Sequence, residues 1–78
     1  MDSWRAADRV ELAVRRALIG CDVVEVLDRA AVLAELVRRL ERLRDQSVAD
    51  ALDAGDSYAA AARALGVTRQ AVRKKYGR

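Results

Sequence analysis

Residues 55–77 read GDSYAAAARALGVTRQAVRKKYG, and this stretch decides the fold. It describes two short helices around a tight turn. Asp56 or Ser57 is placed to cap the first, which runs to about Leu65. Gly66 stands where the chain must turn with a positive φ, a conformation glycine adopts at no steric cost. Thr68 caps the second helix, which runs to about Tyr76. Two helices that cross this closely need a small residue about four positions before the turn glycine and an apolar one about six after it. Ala62 and Val72 occupy those places. Leu65 and Val67 bracket the turn, with Val67 expected to plug the corner from inside and Tyr76 to close the bottom. Ala59 to Ala62 permits close approach of the backbones. The second helix then exposes Arg69, Gln70, Arg73 and Lys74, with Lys75 at its flank.

The charge distribution singles out the same segment. The chain carries a net charge of +3, unevenly spread. Residues 1–20 hold four basic and three acidic side chains, a net +1. Residues 21–54 hold five and eight, a net −3, and residues 55–78 hold six and one, a net +5. A positive field concentrated at one end suits a polyanion better than a diffuse basic surface does.

Upstream, the apolar spacing predicts two further helices. The first covers residues 3 to 19, with Ser3 as a candidate cap and Ala7, Val10, Val14, Ala17 and Leu18 on one face. Gly20 ends it. The second runs from about Val23 to at least Arg44. Asp22 with Glu25 has capping-box spacing, and Asp28 is a rival start. The helix continues or resumes through Ser47, Val48, Ala49, Ala51 and Leu52 and stops at Gly55. Eleven of the fifteen residues from Val23 to Val37 are apolar, more than one amphipathic stripe accounts for. Such a helix must be covered on most sides, by the first helix and by a second copy of the chain. Leu33, Leu36, Leu40 and Leu43 form a short coiled-coil-like seam. The polar run Arg38, Arg39, Glu41, Arg42 and Arg44 reads as a solvated face. Trp4 reads as a core or dimer contact, Tyr58 as half-buried packing and Cys21 as a small buried apolar residue.

Composition excludes several classes. There are 78 residues, no proline, no histidine and one cysteine. An internal disulfide is impossible, a zinc site lacks nitrogen and sulfur ligands, and Ser47, Ser57 and Thr68 have no histidine to activate them. No enzyme, no cofactor and no small-molecule ligand is expected. No apolar run is long enough to span a bilayer, and the start, with Asp2, Arg5, Asp8 and Arg9, has no signal-peptide pattern. A core this small is marginal alone, so self-association is the expected support. Abundant alanine and arginine with only two lysines fit a GC-rich coding genome.

On these residues, Leu43–Gly77 resembles the helix-turn-helix modules of the homeodomain-like superfamily, especially those of small actinobacterial regulators. There an alanine-rich helix leads into a run similar to Leu65-Gly66-Val67-Thr68-Arg69-Gln70-Ala71. The part from Arg69 to Val72-Arg73-Lys74-Lys75 is also similar to the C-terminal end of Fis-type proteins, dimeric bacterial nucleoid proteins with a helical dimer core. Lys75 departs from the pattern, since many members place an apolar residue there. Residues 1–42 carry no such resemblance. The resemblance implies DNA binding through the second helix, with Thr68, Arg69, Gln70, Arg73 and Lys74 carried over by position.

Chemistry assigns roles within that set. Arginine bonds guanine O6 and N7 in a bidentate way and glutamine does the same with adenine. Arg69 and Gln70 are therefore candidates for base edges, followed by Arg73. Ser57 and Thr68, with the backbone N–H groups of their helix starts, suit phosphate oxygens. Lys74, Lys75 and Arg78 suit phosphates as cations. The expectation is an all-α protein: an N-terminal helical pair over residues 1–45 that dimerises, then a helix-turn-helix over 46–78. Its partners would be double-stranded DNA and a second copy of itself, with no membrane, in the cytoplasm of a bacterium as a nucleoid protein or transcription regulator. The competing reading is a protein-interaction adaptor, a sigma-factor or repressor partner, in which the hairpin binds no DNA.

Overall fold

A computed structural model describes residues 3–20 and 25–77. Among them the only regular structure is helical: α1 (Ser3–Ile19), α2 (Val26–Asp53), α3 (Tyr58–Leu65) and α4 (Arg69–Tyr76). The all-α class expected from composition is the one adopted. The chain divides into two compact units, Met1–Glu35 and Leu36–Arg78.

In the first unit, α1 lies where its periodicity placed it. Ser3 is its first helical residue rather than a residue ahead of it. Gly20 follows the helix and donates its N–H to the Arg16 carbonyl at 3.1 Å, with a φ outside the left-handed region. The expected start of α2 at Val23, like Asp22 and Cys21, falls outside the described residues. The helix itself begins at Val26. Glu25 therefore precedes it, and its carbonyl takes the first intrahelical bond, from Arg29 at 3.1 Å. That is a cap position, not the third helical position a capping box requires. Asp28 stands in the first turn, where a carboxylate is favoured by the helix dipole.

No side chain of α1 is buried, and none of Val26–Glu35 is. Ile19 is 85% exposed and Leu27 82%, and Trp4, Val10, Leu12, Val26, Val32 and Leu33 are exposed as well. Among the described residues, therefore, α1 leaves no side chain of this part of α2 buried. A groove lined by Leu18 and Ile19 from α1 and by Val26, Ala30 and Leu33 from α2, with Arg15 and Arg29 on it, is where the two elements face each other. The alanines in the α1 stripe are too short to cover more. Trp4 stands open beside Arg5, whose guanidinium lies 5.9 Å from the ring centre.

The second unit has a core of its own. The α2 stretch from Leu36 to Asp53 is unbroken helix, free of glycine and proline. Ser47, inside it, satisfies its hydroxyl on the Leu43 carbonyl at 2.8 Å. The helix closes on Gly55, φ 105°, with the N–H of Gly55 on Leu52 and that of Asp56 on Ala51, the double bond of a Schellman end. Ser57 caps α3 by accepting from the Ala60 N–H at 3.0 Å. Gly66, φ 69°, ends α3, and its N–H and that of Val67 both reach the Ala62 carbonyl. Thr68 caps α4 by accepting from the Ala71 N–H at 3.1 Å.

Among the described residues four side chains are buried: Val48 of α2, Ala61 and Ala62 of α3, and Val72 of α4, with Leu52, Tyr58, Leu65 and Tyr76 packed against them. Val72 is 1% exposed. Ala62 leaves room for the valine of α4, as the spacing required. Val67 does not plug the corner. It is 48% exposed and lies on a groove with Leu65, Ala71 and Val72, because Leu65 and Val72 already fill the inside of the turn. Val37, Leu40 and Leu43 remain exposed on α2.

Candidate functional site

The candidate residues converge on α4 because its short sequence RQAVRKKY sorts its side chains by angle. Val72 marks the buried direction. At 100° per residue, Gln70 and Lys74 lie about 160° away from it and Arg73 about 100° away. Arg69 and Lys75 lie about 60° away, on opposite flanks of the buried stripe. The helix carries Arg69, Arg73, Lys74 and Lys75 and no acidic residue. All four cations and Gln70 are exposed. Among the described residues, Arg69, Gln70, Arg73 and Lys74 have no ion pair and no side-chain hydrogen bond.

Lys75 is different. Its Nζ lies 3.4 Å from Oδ1 of Asp45, a residue of α2. The same oxygen accepts the hydroxyl of Tyr76 at 2.5 Å and the Nη2 of Arg44 at 3.2 Å. Lys75 Nζ also sits 5.5 Å from the centre of the Tyr76 ring. The Tyr76 hydroxyl above all, then the Arg44 hydrogen bond and the charges of Lys75 and Arg44, hold the Asp45 carboxyl below its ordinary value, against a partial loss of hydration. Arg44 is pushed up in turn, chiefly by its hydrogen bond to Asp45. This knot ties the end of α4 to the middle of α2.

The two helix-cap hydroxyls have different surroundings. Thr68 opens α4, and accepting from Ala71 leaves its hydroxyl hydrogen available to an acceptor. Ser57 shares a groove with Asp53 and Asp56, together with Leu52, Tyr58 and Tyr76. Two carboxylates beside it disfavour an anion there. Arg78 lies outside the described residues.

Comparison with protein-family models, with characterised proteins and with solved structures returns no match. The site is therefore read from its own residues.

The structure brings Thr68, Arg69, Gln70, Arg73 and Lys74 together on one short helix, separates Ser57 from them at the start of α3, and engages Lys75 with Asp45. Asp45 and Tyr76 as partners escaped the sequence reading. They are 31 positions apart, and an aspartate among arginines on a helix carries no sign of a distant tyrosine. The only available signal was Lys75 itself, a charge where an apolar residue was expected and therefore in need of an inward partner. Among the described residues no group of side chains has the makings of a metal site, and no helix is long and apolar enough to cross a membrane.

Proposed function

We propose that this protein binds double-stranded DNA, with α3 and α4 as a helix-turn-helix and α4 in the major groove. The observation that carries the reading is the outer face of α4: Gln70, Arg73 and Lys74 point away from the core, with no partner among the described residues. Uncommitted guanidinium and amide groups on a rigid helix are what base edges require. Arg69 and Gln70 open the helix and read bases, Arg73 reads one turn on, and Lys74 and Thr68 hold phosphates.

One such helix reads only a few base pairs, so the functional unit is a homodimer on half-sites about 34–36 Å apart. The exposed apolar side chains of residues 3–20 and 25–35, and those of Val37, Leu40 and Leu43, support pairing through residues 1–45. The cellular role that fits is a small regulator or nucleoid protein of a bacterial cytoplasm.

Duplex titration tests the reading. Arg69→Ala and Arg73→Ala are each expected to weaken binding by about 1–3 kcal/mol. Lys74→Ala is expected to weaken all duplexes alike and to flatten the salt dependence by about 0.9 in log–log slope. Unchanged affinity in the Arg69/Arg73 double variant would refute the assignment of α4. The adaptor reading requires that the wild-type chain show no salt-dependent duplex affinity at all, so the same titration separates the two.

A further inference from the structure

We propose that Asp45 limits sequence-independent DNA binding by holding Lys75 in an intramolecular ion pair at the surface, away from the phosphates. The inference rests on the DNA-binding reading above and adds a residue that restrains it. Of the four cations on α4, Lys75 is the one with an ion-pair partner among the described residues. Its flank explains why. Arg69 and Lys75 lie about 60° from the buried Val72 direction on opposite sides. Lys75 is on the side where Tyr76 meets Asp45 of α2, and its exposed ammonium reaches the same carboxylate oxygen.

The carboxylate is fixed in place. Oδ1 receives the Tyr76 hydroxyl at 2.5 Å and the guanidinium of Arg44 at 3.2 Å, so it does not swing out with the lysine. Arg44 and Lys75 both line the groove beside Leu65, Val67 and Ala71, which runs along the flank of α4. Asp45 thus holds two cations that border the proposed recognition helix. Each phosphate a protein neutralises adds about 0.9 to the salt slope and favours every sequence equally. Withholding Lys75 lowers this indiscriminate part of the affinity and leaves Arg69, Gln70 and Arg73 to decide where the protein stays.

The test is fluorescence anisotropy of the full chain on a labelled mixed-sequence duplex of about two helical turns, read across a salt series. Asp45→Asn removes the charge and keeps an oxygen for Tyr76. It is expected to tighten binding about three- to tenfold near 0.1 M salt and to steepen the slope by about one phosphate contact. Adding Lys75→Met to that variant is expected to return the slope to the wild-type value. Tyr76→Phe, which loses the hydroxyl but keeps the charge, is expected to leave the slope in place. Should asparagine disturb the fold by circular dichroism, Asp45→Ser repeats the measurement. Wild-type binding with an unchanged slope in the Asp45 variants overturns the proposal and leaves the DNA reading standing. So does a gain that survives Lys75→Met, which would assign the effect to Arg44 or to repulsion of the duplex by Asp45 rather than to Lys75. A wild-type chain without duplex affinity overturns both.

Discussion

Val72 and Leu27 are both aliphatic residues on helices, yet one is 1% exposed and the other 82%. That contrast separates the two halves of the molecule. The second unit folds three helical segments onto two valines and two alanines, with tyrosines and leucines closing the edges. The first unit places large aliphatic side chains in the open and, among the described residues, buries none. The difference lies in side-chain size and chain reversal rather than in hydrophobicity. Gly55 and Gly66 turn the chain back sharply, so short side chains suffice for close packing. Along α1 and the first turns of α2 no such reversal brings small residues together, and the larger side chains stay exposed among the described residues.

The sharpest way to break this comparison is to place the same polar group in both halves. Val72→Asn puts an amide where no partner exists and is expected to destabilise the second unit by about 3 kcal/mol or more. Leu27→Asn, on an exposed site, is expected to stay within about 0.5 kcal/mol when measured on the monomer. Thermal melts followed by circular dichroism decide, and equal effects would mean that the core has been misplaced.

The next effect concerns association. Leu33→Glu with Leu40→Glu changes two exposed side chains, each worth about 1.5–3 kcal/mol when buried in a partner. The dimer dissociation constant is expected to rise about a hundredfold or more while the melt of the second unit is unaltered. Sedimentation of the wild-type chain as a monomer at high micromolar concentration would remove the proposed pairing.

The smallest effect sharpens the picture within the second unit. The Asp45 carboxyl is held below its ordinary value of 3.8, foremost by Tyr76. A group lowered on folding contributes stability that is full above its unfolded value and lost as pH falls through its folded one. Urea midpoints of wild type and Tyr76→Phe should therefore differ near neutrality and converge as the carboxyl protonates. A gap that persists in strong acid would show that the ring packing, not the hydroxyl, was altered.

Much of this was legible in advance. Ala62, Gly66, Thr68 and Val72 each have a local reason to be where they are: a close approach, a left-handed turn, a cap and a buried apolar contact. Local chemistry also set the extent of α1 and the stop at Gly55. The misplacements were of another kind. Val67 looked like a plug, but whether a side chain fills a corner depends on what already fills it. Glu25 had the spacing of a capping box, but spacing does not say where the first helical hydrogen bond forms.

Residue order alone determined four helices in outline, the positive end of the chain and which side of α4 turns outward, because these follow from propensity, period and charge within a few turns. Tertiary structure decided that Asp45 meets Tyr76 and Lys75 and that Leu27 and Ile19 stay exposed among the described residues. Encounters between residues dozens of positions apart depend on how whole helices pack, and no local pattern encodes that.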